Sequence, residues 1–214
     1  MQLRRGRIQV VAAERVHVLG PEDGFGARQG TDGLFKSDMQ QVASERIANA
    51  VRNVPDFPRA GIIFKDITPL LSDGALFKES IDLFLNACEP LKPDKIVGID
   101  ARGFLFGSAV AYQLGVGFVP VRKKGKLPYQ TKEASYTLEY GEATVEMHVD
   151  AIAPGERIVL VDDLLATGGT SAAAAKLITQ AGGNLLAALF LIELEFLSGR
   201  RHLAPVPVTA FLKY

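Results

Sequence analysis

The sequence predicts an α/β fold in which a central, mainly parallel sheet is flanked by helices. Short apolar segments, such as residues 96–99 and 158–161, alternate with segments of helical periodicity, the pattern of strands buried on both faces. Hydrophobic residues make up 48% of the 214-residue chain and charged residues 22%, a composition that can bury a core. We therefore expect ligands to bind at the carboxyl ends of the parallel strands.

Residues 1–38 are expected to form a disordered leader before a single domain that spans residues 39–214. The stretch 18–38 is rich in glycine and has neither strand nor helix periodicity. Ser37 and Gln40 have the spacing of a capping box, so the first helix is predicted to begin at Ser37 and Met39 is a candidate start of the functional chain. The apolar run after the first arginines is short and interrupted by charge, so no signal peptide is expected.

The remaining elements follow from periodicity and from helix-breaking residues. A helical stripe ends at Cys88, which is predicted to be a small buried hydrophobe rather than a nucleophile. Alternation around Gly141 predicts an antiparallel hairpin. In order, the segments after Cys88 are a strand at 96–99, a helix at 104–114, a strand at 116–121, hairpin strands at 136–140 and 143–149, a strand at 158–161, a helix at 171–181 and a strand at 185–192.

Charge and cysteine content exclude several classes of protein. The 24 basic and 24 acidic residues cancel, so no global field attracts nucleic acid or an anionic membrane, and neither partner is expected. No stretch approaches the roughly 18 apolar residues of a membrane span. A single cysteine forms neither an internal disulfide nor a thiolate metal cluster, which indicates a reducing compartment and predicts a cytoplasmic location.

The segment 161–170 contains the most informative pattern for chemistry. Its Gly/Thr loop lies between a predicted strand and a helix amino terminus, where free N–H groups bind phosphate. The lysine of a Walker A loop is missing, and so is a G-x-G-x-x-G pattern. The Asp162 and Asp163 carboxylates can accept hydrogen bonds from vicinal hydroxyls or bind Mg²⁺ through water. A 5-phosphorylated ribose therefore fits both the Gly/Thr loop and the acid pair. An acid pair that only caps the helix remains the alternative.

Residues 162–170 resemble the phosphoribosyl-pyrophosphate signature of the type I phosphoribosyltransferase family, in the form usual for members that use adenine. Four further segments resemble these enzymes in the same order along the chain. The segments are 55–69, 98–104, 122–128 and 138–141, and the resemblance covers about residues 39–214.

The resemblance implies the type I phosphoribosyltransferase fold, with a small hood at about residues 52–70 and a flexible β-hairpin lid at about 122–139. It implies transfer of phosphoribosyl from phosphoribosyl pyrophosphate to adenine, giving AMP and pyrophosphate. Mg²⁺ is the implied cofactor, bound through substrate and water without a direct protein ligand. A homodimer is also implied.

The resemblance further assigns roles to individual residues. Arg102 and Lys126 would stabilise the leaving pyrophosphate, with Lys123 as a second lysine, and the Asp100–Ala101 peptide would be cis. Glu139 would assist the proton of the base, and the neighbouring Tyr140 would contact substrate. The other implied substrate-binding residues are Ile63, Phe64 and Lys65 for adenine, Asp162 and Asp163 for ribose, and Ala166, Thr167, Gly168, Gly169 and Thr170 for the 5′-phosphate.

Two alternatives remain at this point. One is a phosphoribosyltransferase for xanthine or a pyrimidine. The other is a transcription regulator that keeps the pocket as an effector sensor. Such regulators carry an amino-terminal winged helix, and residues 1–38 are too short and too rich in glycine to form one.

Overall fold

The computed structural model of the protein describes residues 17–18, 31–137 and 141–214. The chain divides into two compact units between Glu79 and Ser80. The prediction of a disordered leader before one domain at 39–214 stays a prediction.

In the residues that the structure describes, the amino-terminal unit contains helices, one small hairpin and a two-residue strand. Its elements are β1 (His17–Val18), α1 (Thr31–Ala50), β2 (Arg52–Pro55), β3 (Ile63–Asp66), α2 (Thr68–Ser72) and the start of α3 (Gly74–Cys88). The predicted start of α1 at Ser37 is wrong, because the helix begins six residues earlier. Thr31 and Asp32 are residue types favoured at helix amino termini, and Ser37 lies inside the helix, where it cannot act as a cap.

Asp66 stabilises the hairpin in the predicted hood. β2 and β3 pair antiparallel, with Arg52 opposite Asp66. The Asp66 carboxylate accepts hydrogen bonds from the Thr68 hydroxyl, from the Thr68 N–H at 2.9 Å and from Arg52 Nη2 at 2.6 Å. The two Thr68 bonds and then the Arg52 guanidinium lower the pKa of Asp66 from 3.8 to about 2.

Because this pKa is lower in the folded state, the interaction stabilises the protein above pH 3.8 and is lost as the pH falls toward 2. We expect Asp66→Asn to lower the free energy of unfolding at pH 7, with a smaller difference from wild type at pH 2. Urea unfolding at both pH values measures this, and exposed Asp150→Asn is the control. A deficit of equal size at both pH values would contradict the assignment.

The carboxyl-terminal unit is built on a mainly parallel sheet, which confirms the predicted fold class. Its strands lie in the order β10-β9-β8-β4-β5-β7-β6. They are β4 (Lys95–Ile99), β5 (Gly117–Lys123), β6 (Thr131–Thr137), β7 (Glu142–His148), β8 (Arg157–Leu165), β9 (Asn184–Glu193) and β10 (Val208–Lys213). β10 through β5 are parallel neighbours, whereas β7 and β6 form an antiparallel hairpin beside β5. The longer helices of this unit are α3, α4 (Arg102–Leu114) and α5 (Gly169–Gln180).

One strand boundary changes the geometry of the site. The strand predicted at 158–161 continues to Leu165, because β8 keeps its pairing with β9 as far as Leu165 opposite Glu193. Asp162 and Asp163 therefore lie within a strand and not in the loop after it. The first hairpin strand also begins five residues earlier than predicted, at Thr131, whereas the second strand, Glu142–His148, lies within one residue of its predicted bounds.

Aromatic rings make up part of the core. Phe84 of α3 lies 5.4 Å from Phe106 and 4.9 Å from Phe211, measured between ring centroids. Cys88 is fully buried, and burial raises the pKa of its thiol to about 12, as expected for an unreactive core residue. Among the described residues, we find no helix with the length and apolar character that a membrane crossing requires.

Candidate active site

A pocket of about 460 Å³ lies at the carboxyl ends of β4, β5 and β8. This is the edge where an open parallel sheet binds ligands. The residues that line it are Ile99, Asp100, Ala101, Arg102, Val121, Lys123, Tyr136, Val145, Asp162, Asp163, Leu164, Ala166, Thr167, Gly168, Gly169, Thr170 and Ser171. The structure thus brings together the predicted acid pair, the Gly/Thr loop, Arg102 and Lys123.

The loop of residues 166–170, here called the phosphate loop, connects β8 to the first turn of α5. Gly168 is the N-cap residue and has a φ of +83°, a conformation that favours glycine. The N–H groups in the first turn of a helix have no partner within the helix and form a binding site for an anion. Thr167 and Thr170 add hydroxyl donors on the same wall of the pocket.

Asp162 and Asp163 are both buried at the end of β8, with 9% and 7% of their surface exposed. The Asp162 carboxylate accepts the N–H of Asp163 at 2.9 Å. Burial, followed by the charge of Asp163, raises the pKa of Asp162 well above its usual range. The Asp163 carboxylate, in contrast, forms an ion pair with the Arg102 guanidinium.

The start of α4 lies against the acid pair because Gly103 has no side chain. A Cβ at this position would lie 2.7 Å from Asp162 Oδ1 and 3.0 Å from the Val161 carbonyl oxygen. Arg102 precedes this glycine and is thereby held beside Asp163. The Asp100–Ala101 peptide before it is cis, as the family resemblance implies.

The last residue of β5 and the turn after this strand carry the predicted lysines. Lys123 lines the pocket, whereas Lys126 is exposed and is not among the lining residues in the described part of the chain. Both backbone polar groups of Lys126 bind side chains: its N–H donates to Glu146 Oε1 at 2.8 Å, and its carbonyl accepts from Arg122 Nη1 at 3.1 Å. Arg122 also donates to Asp100 in the pocket wall, so the turn is tied to the site.

Glu146 organises this turn from β7. It is 3% exposed and accepts the N–H of Leu127 at 2.8 Å in addition to that of Lys126. Burial opposes its charge, but hydrogen bonds from the turn's backbone outweigh burial, so the pKa of Glu146 is lowered. It therefore stays ionised as an acceptor. Sequence analysis missed this residue because its partners lie 19 and 20 positions away.

The remaining predicted residues belong to other parts of the chain. Ile63, Phe64 and Lys65 belong to β3 of the amino-terminal unit, where the Phe64 ring packs edge-on against Phe57 at 5.2 Å. Glu139 and Tyr140 lie outside the described residues.

Tyr136 of the β6–β7 hairpin is a pocket residue that sequence reasoning missed. Its ring packs on Gly169, where an added Cβ would lie 2.9 Å from Tyr136 Cδ2. The predicted hairpin placed Tyr136 at its first position, so alternation indicated a strand residue without showing which face it presents.

The chain is similar to known phosphoribosyltransferases. Residues 69–194 match the family model described as "Phosphoribosyl transferase domain". The adenine phosphoribosyltransferase of Acidothermus cellulolyticus is 53% identical over 169 residues, covering 79% of this chain and 96% of that protein. That of a Roseiflexus species is 53% identical over 168 residues, covering 78% and 98%.

Solved structures of adenine phosphoribosyltransferases have folds similar to that of this chain. The adenine phosphoribosyltransferase of Thermoanaerobacter pseudethanolicus is 51% identical with a TM-score of 0.78, covering 80% of this chain and 99% of that one. The Saccharomyces cerevisiae enzyme, solved with adenine and an imino-altritol bisphosphate, is 42% identical with a TM-score of 0.77, covering 79% and 98%. The chain belongs to the adenine phosphoribosyltransferase family.

Proposed function

We propose that the protein transfers phosphoribosyl from Mg²⁺-bound phosphoribosyl pyrophosphate to adenine, giving AMP and pyrophosphate. The observation that carries this proposal is the pocket in which a glycine-containing phosphate loop, an acid pair and an arginine meet. These groups match a phosphate, a ribose and a pyrophosphate in turn. The identity of the relatives favours adenine as the base.

The phosphate loop would bind the 5′-phosphate with backbone N–H groups and with the hydroxyls of Thr167 and Thr170. Asp163 and Asp162 would face the ribose hydroxyls one sugar length away. Asp162 already accepts the Asp163 N–H and lies against Gly103, whereas Asp163 pairs with Arg102 through Oδ2, so we assign the ribose contact first to Asp163.

The leaving pyrophosphate requires positive charge. Arg102 would bind it bidentately, with Lys123 on the pocket wall and Lys126 from the lid. The carboxylate oxygens of Asp162 and Asp163 are hard donors that suit Mg²⁺ through water, and the ion would supply further neutralisation of the leaving group when bound. Bond cleavage leaves an electron-poor anomeric carbon, so water must be excluded while the base nitrogen attacks.

Adenine recognition is assigned to β3 of the hood. Phe64 would stack on the purine, and backbone groups of Ile63 and Lys65 would bind its Watson–Crick edge. Glu139, with Tyr140 beside it, would accept the proton that the base loses. These assignments rest on the family resemblance and on the order of the motifs along the chain.

Parallel assays with adenine, hypoxanthine and guanine test the function. We expect pyrophosphate release from phosphoribosyl pyrophosphate and Mg²⁺ with adenine, and little with either 6-oxopurine. Release with a 6-oxopurine alone would overturn the specificity. Failure with all three bases, together with tight phosphoribosyl-pyrophosphate binding, would favour an effector sensor.

Lys126→Ala is expected to lower the turnover number roughly tenfold, because one cation that faces the leaving group is lost, while adenine affinity changes little. Steady-state kinetics and equilibrium adenine binding measure the two effects. Lys124→Ala is the matched control, since the Lys124 amine lies in the same turn but pairs with Glu133 at 2.7 Å. Unchanged turnover in Lys126→Ala would remove this residue from the site.

The homodimer and the cytoplasmic location are also proposals. Leu105 and Tyr112, 43% and 84% exposed on α4, provide apolar surface that a second copy can cover. The location rests on the single cysteine. Sedimentation velocity on the full chain tests the dimer, and a monomer at micromolar concentration would contradict it.

A further inference from the structure

The phosphate loop packs backbone against backbone on a distant segment of the chain. A Cβ at Gly199 would lie 2.1 Å from the Ala166 carbonyl oxygen and 3.0 Å from the Gly168 nitrogen. In the reverse direction, a Cβ at Gly168 would lie 2.3 Å from the Gly199 carbonyl oxygen. Gly199 is buried, so it forms a fixed support on the side of the loop away from solvent.

An ion pair on the adjacent residue holds Gly199 in place. Arg200 Nε donates to Glu193 Oε1 at 2.8 Å, and Arg200 Nη2 donates to Glu193 Oε2 at 2.5 Å. Glu193 is 1% exposed, and this bidentate geometry fixes both position and orientation. Ser198 precedes Gly199 in the left-handed region with a φ of +51°, so the turn has a defined shape.

Glu193 is in turn tied to the strand that leads into the phosphate loop. It is the last residue of β9 and lies opposite Leu165, the last residue of β8, in the parallel ladder. The N–H of Leu194 donates to the Leu165 carbonyl at 2.9 Å. The contacts therefore connect Leu165, the residue before the phosphate loop, through Glu193, Arg200 and Gly199 to the loop itself.

We propose that Glu193 and Arg200 are positioning residues that hold the phosphate loop in its binding conformation by fixing Gly199 against it. Neither side chain lines the pocket, so both act through the loop. The proposal rests on the proposed function, in which this loop binds the 5′-phosphate. Loss of the ion pair should therefore weaken the binding of ligands that carry this phosphate and leave the binding of ligands that lack it unchanged.

Titration calorimetry with AMP, adenosine and Mg²⁺-pyrophosphate on the full chain tests the proposal. We expect Arg200→Gln to lower the affinity for AMP about tenfold, while the affinities for adenosine and pyrophosphate stay within twofold of wild type. Glu193→Gln should do the same, and the double variant should be no weaker than either single one, because the residues act as one unit. Arg201→Gln, an exposed neighbour, is the matched control.

Unchanged AMP affinity in Arg200→Gln would overturn the proposal, and so would equal weakening of all three ligands. If Arg200→Gln does not fold, Arg200→Lys keeps the charge without the bidentate geometry, and we expect about threefold weaker AMP alone. A wild-type protein that binds AMP no more tightly than adenosine would instead refute the assignment of the phosphate loop itself.

Discussion

Gly168→Ala is expected to lower kcat/KM for phosphoribosyl pyrophosphate by at least about 100-fold, because a misplacement of about 1 Å at a substrate-positioning group can cost that much. The alanine would meet two separate obstacles. Its φ of +83° is a strained conformation for any residue with a Cβ, and that Cβ would lie 2.3 Å from the Gly199 carbonyl oxygen. The loop must move, and its backbone donors move with it.

Gly155→Ala separates the two obstacles. Gly155 has a φ of +84°, almost the same as Gly168, but a Cβ there has nothing within 4 Å. We expect this variant to lose about 1–2 kcal/mol of stability from the left-handed conformation and to keep wild-type kinetics. Kinetics and thermal unfolding of both variants make the comparison. Wild-type kcat/KM in Gly168→Ala would show that the loop tolerates the displacement and would remove its close packing from the mechanism.

The fold and the pocket edge could be predicted because their signals are local. Gly168, Gly169 and two threonines directly after a buried strand indicate the β8–α5 loop. Apolar runs indicate that β4 and β8 are interior strands. The start of α1 could not be predicted in the same way. A capping-box spacing at Ser37 is one weak local signal, and the preceding residues also accept helical conformation.

The supports of the site were beyond sequence reasoning for a different reason. Gly199 contacts the phosphate loop through backbone atoms some 30 positions away, so no side-chain pattern marks it. Glu146 accepts hydrogen bonds from backbone N–H groups of the Lys126 turn, and such donors can belong to any residue type except proline. A tertiary contact that uses backbone has no sequence periodicity, and only the folded topology shows it.

Asp163→Asn is expected to lower kcat/KM for phosphoribosyl pyrophosphate by about 100-fold, because it removes the charge of the buried partner from an ion pair at the edge of the pocket. Asp163 pairs with Arg102, so the amide would weaken the proposed ribose acceptor and remove the charge that orients the guanidinium. Arg102 would then lose its fixed geometry toward pyrophosphate. Both consequences act on the same substrate, and adenine affinity should stay close to wild type.

Asp162→Asn distinguishes the two acids. Burial, followed by the charge of Asp163, raises the pKa of Asp162, so the site already opposes a charge at this position, and the oxygen of an amide can still accept the Asp163 N–H. We therefore expect a loss of roughly tenfold or less, clearly below that of Asp163→Asn, with exposed Asp150→Asn unchanged. Steady-state kinetics with phosphoribosyl pyrophosphate as the varied substrate measure all three variants. Equal losses in the two acid variants would mean that both carboxylates must be charged in the complex, and the division of roles within the pair would be wrong.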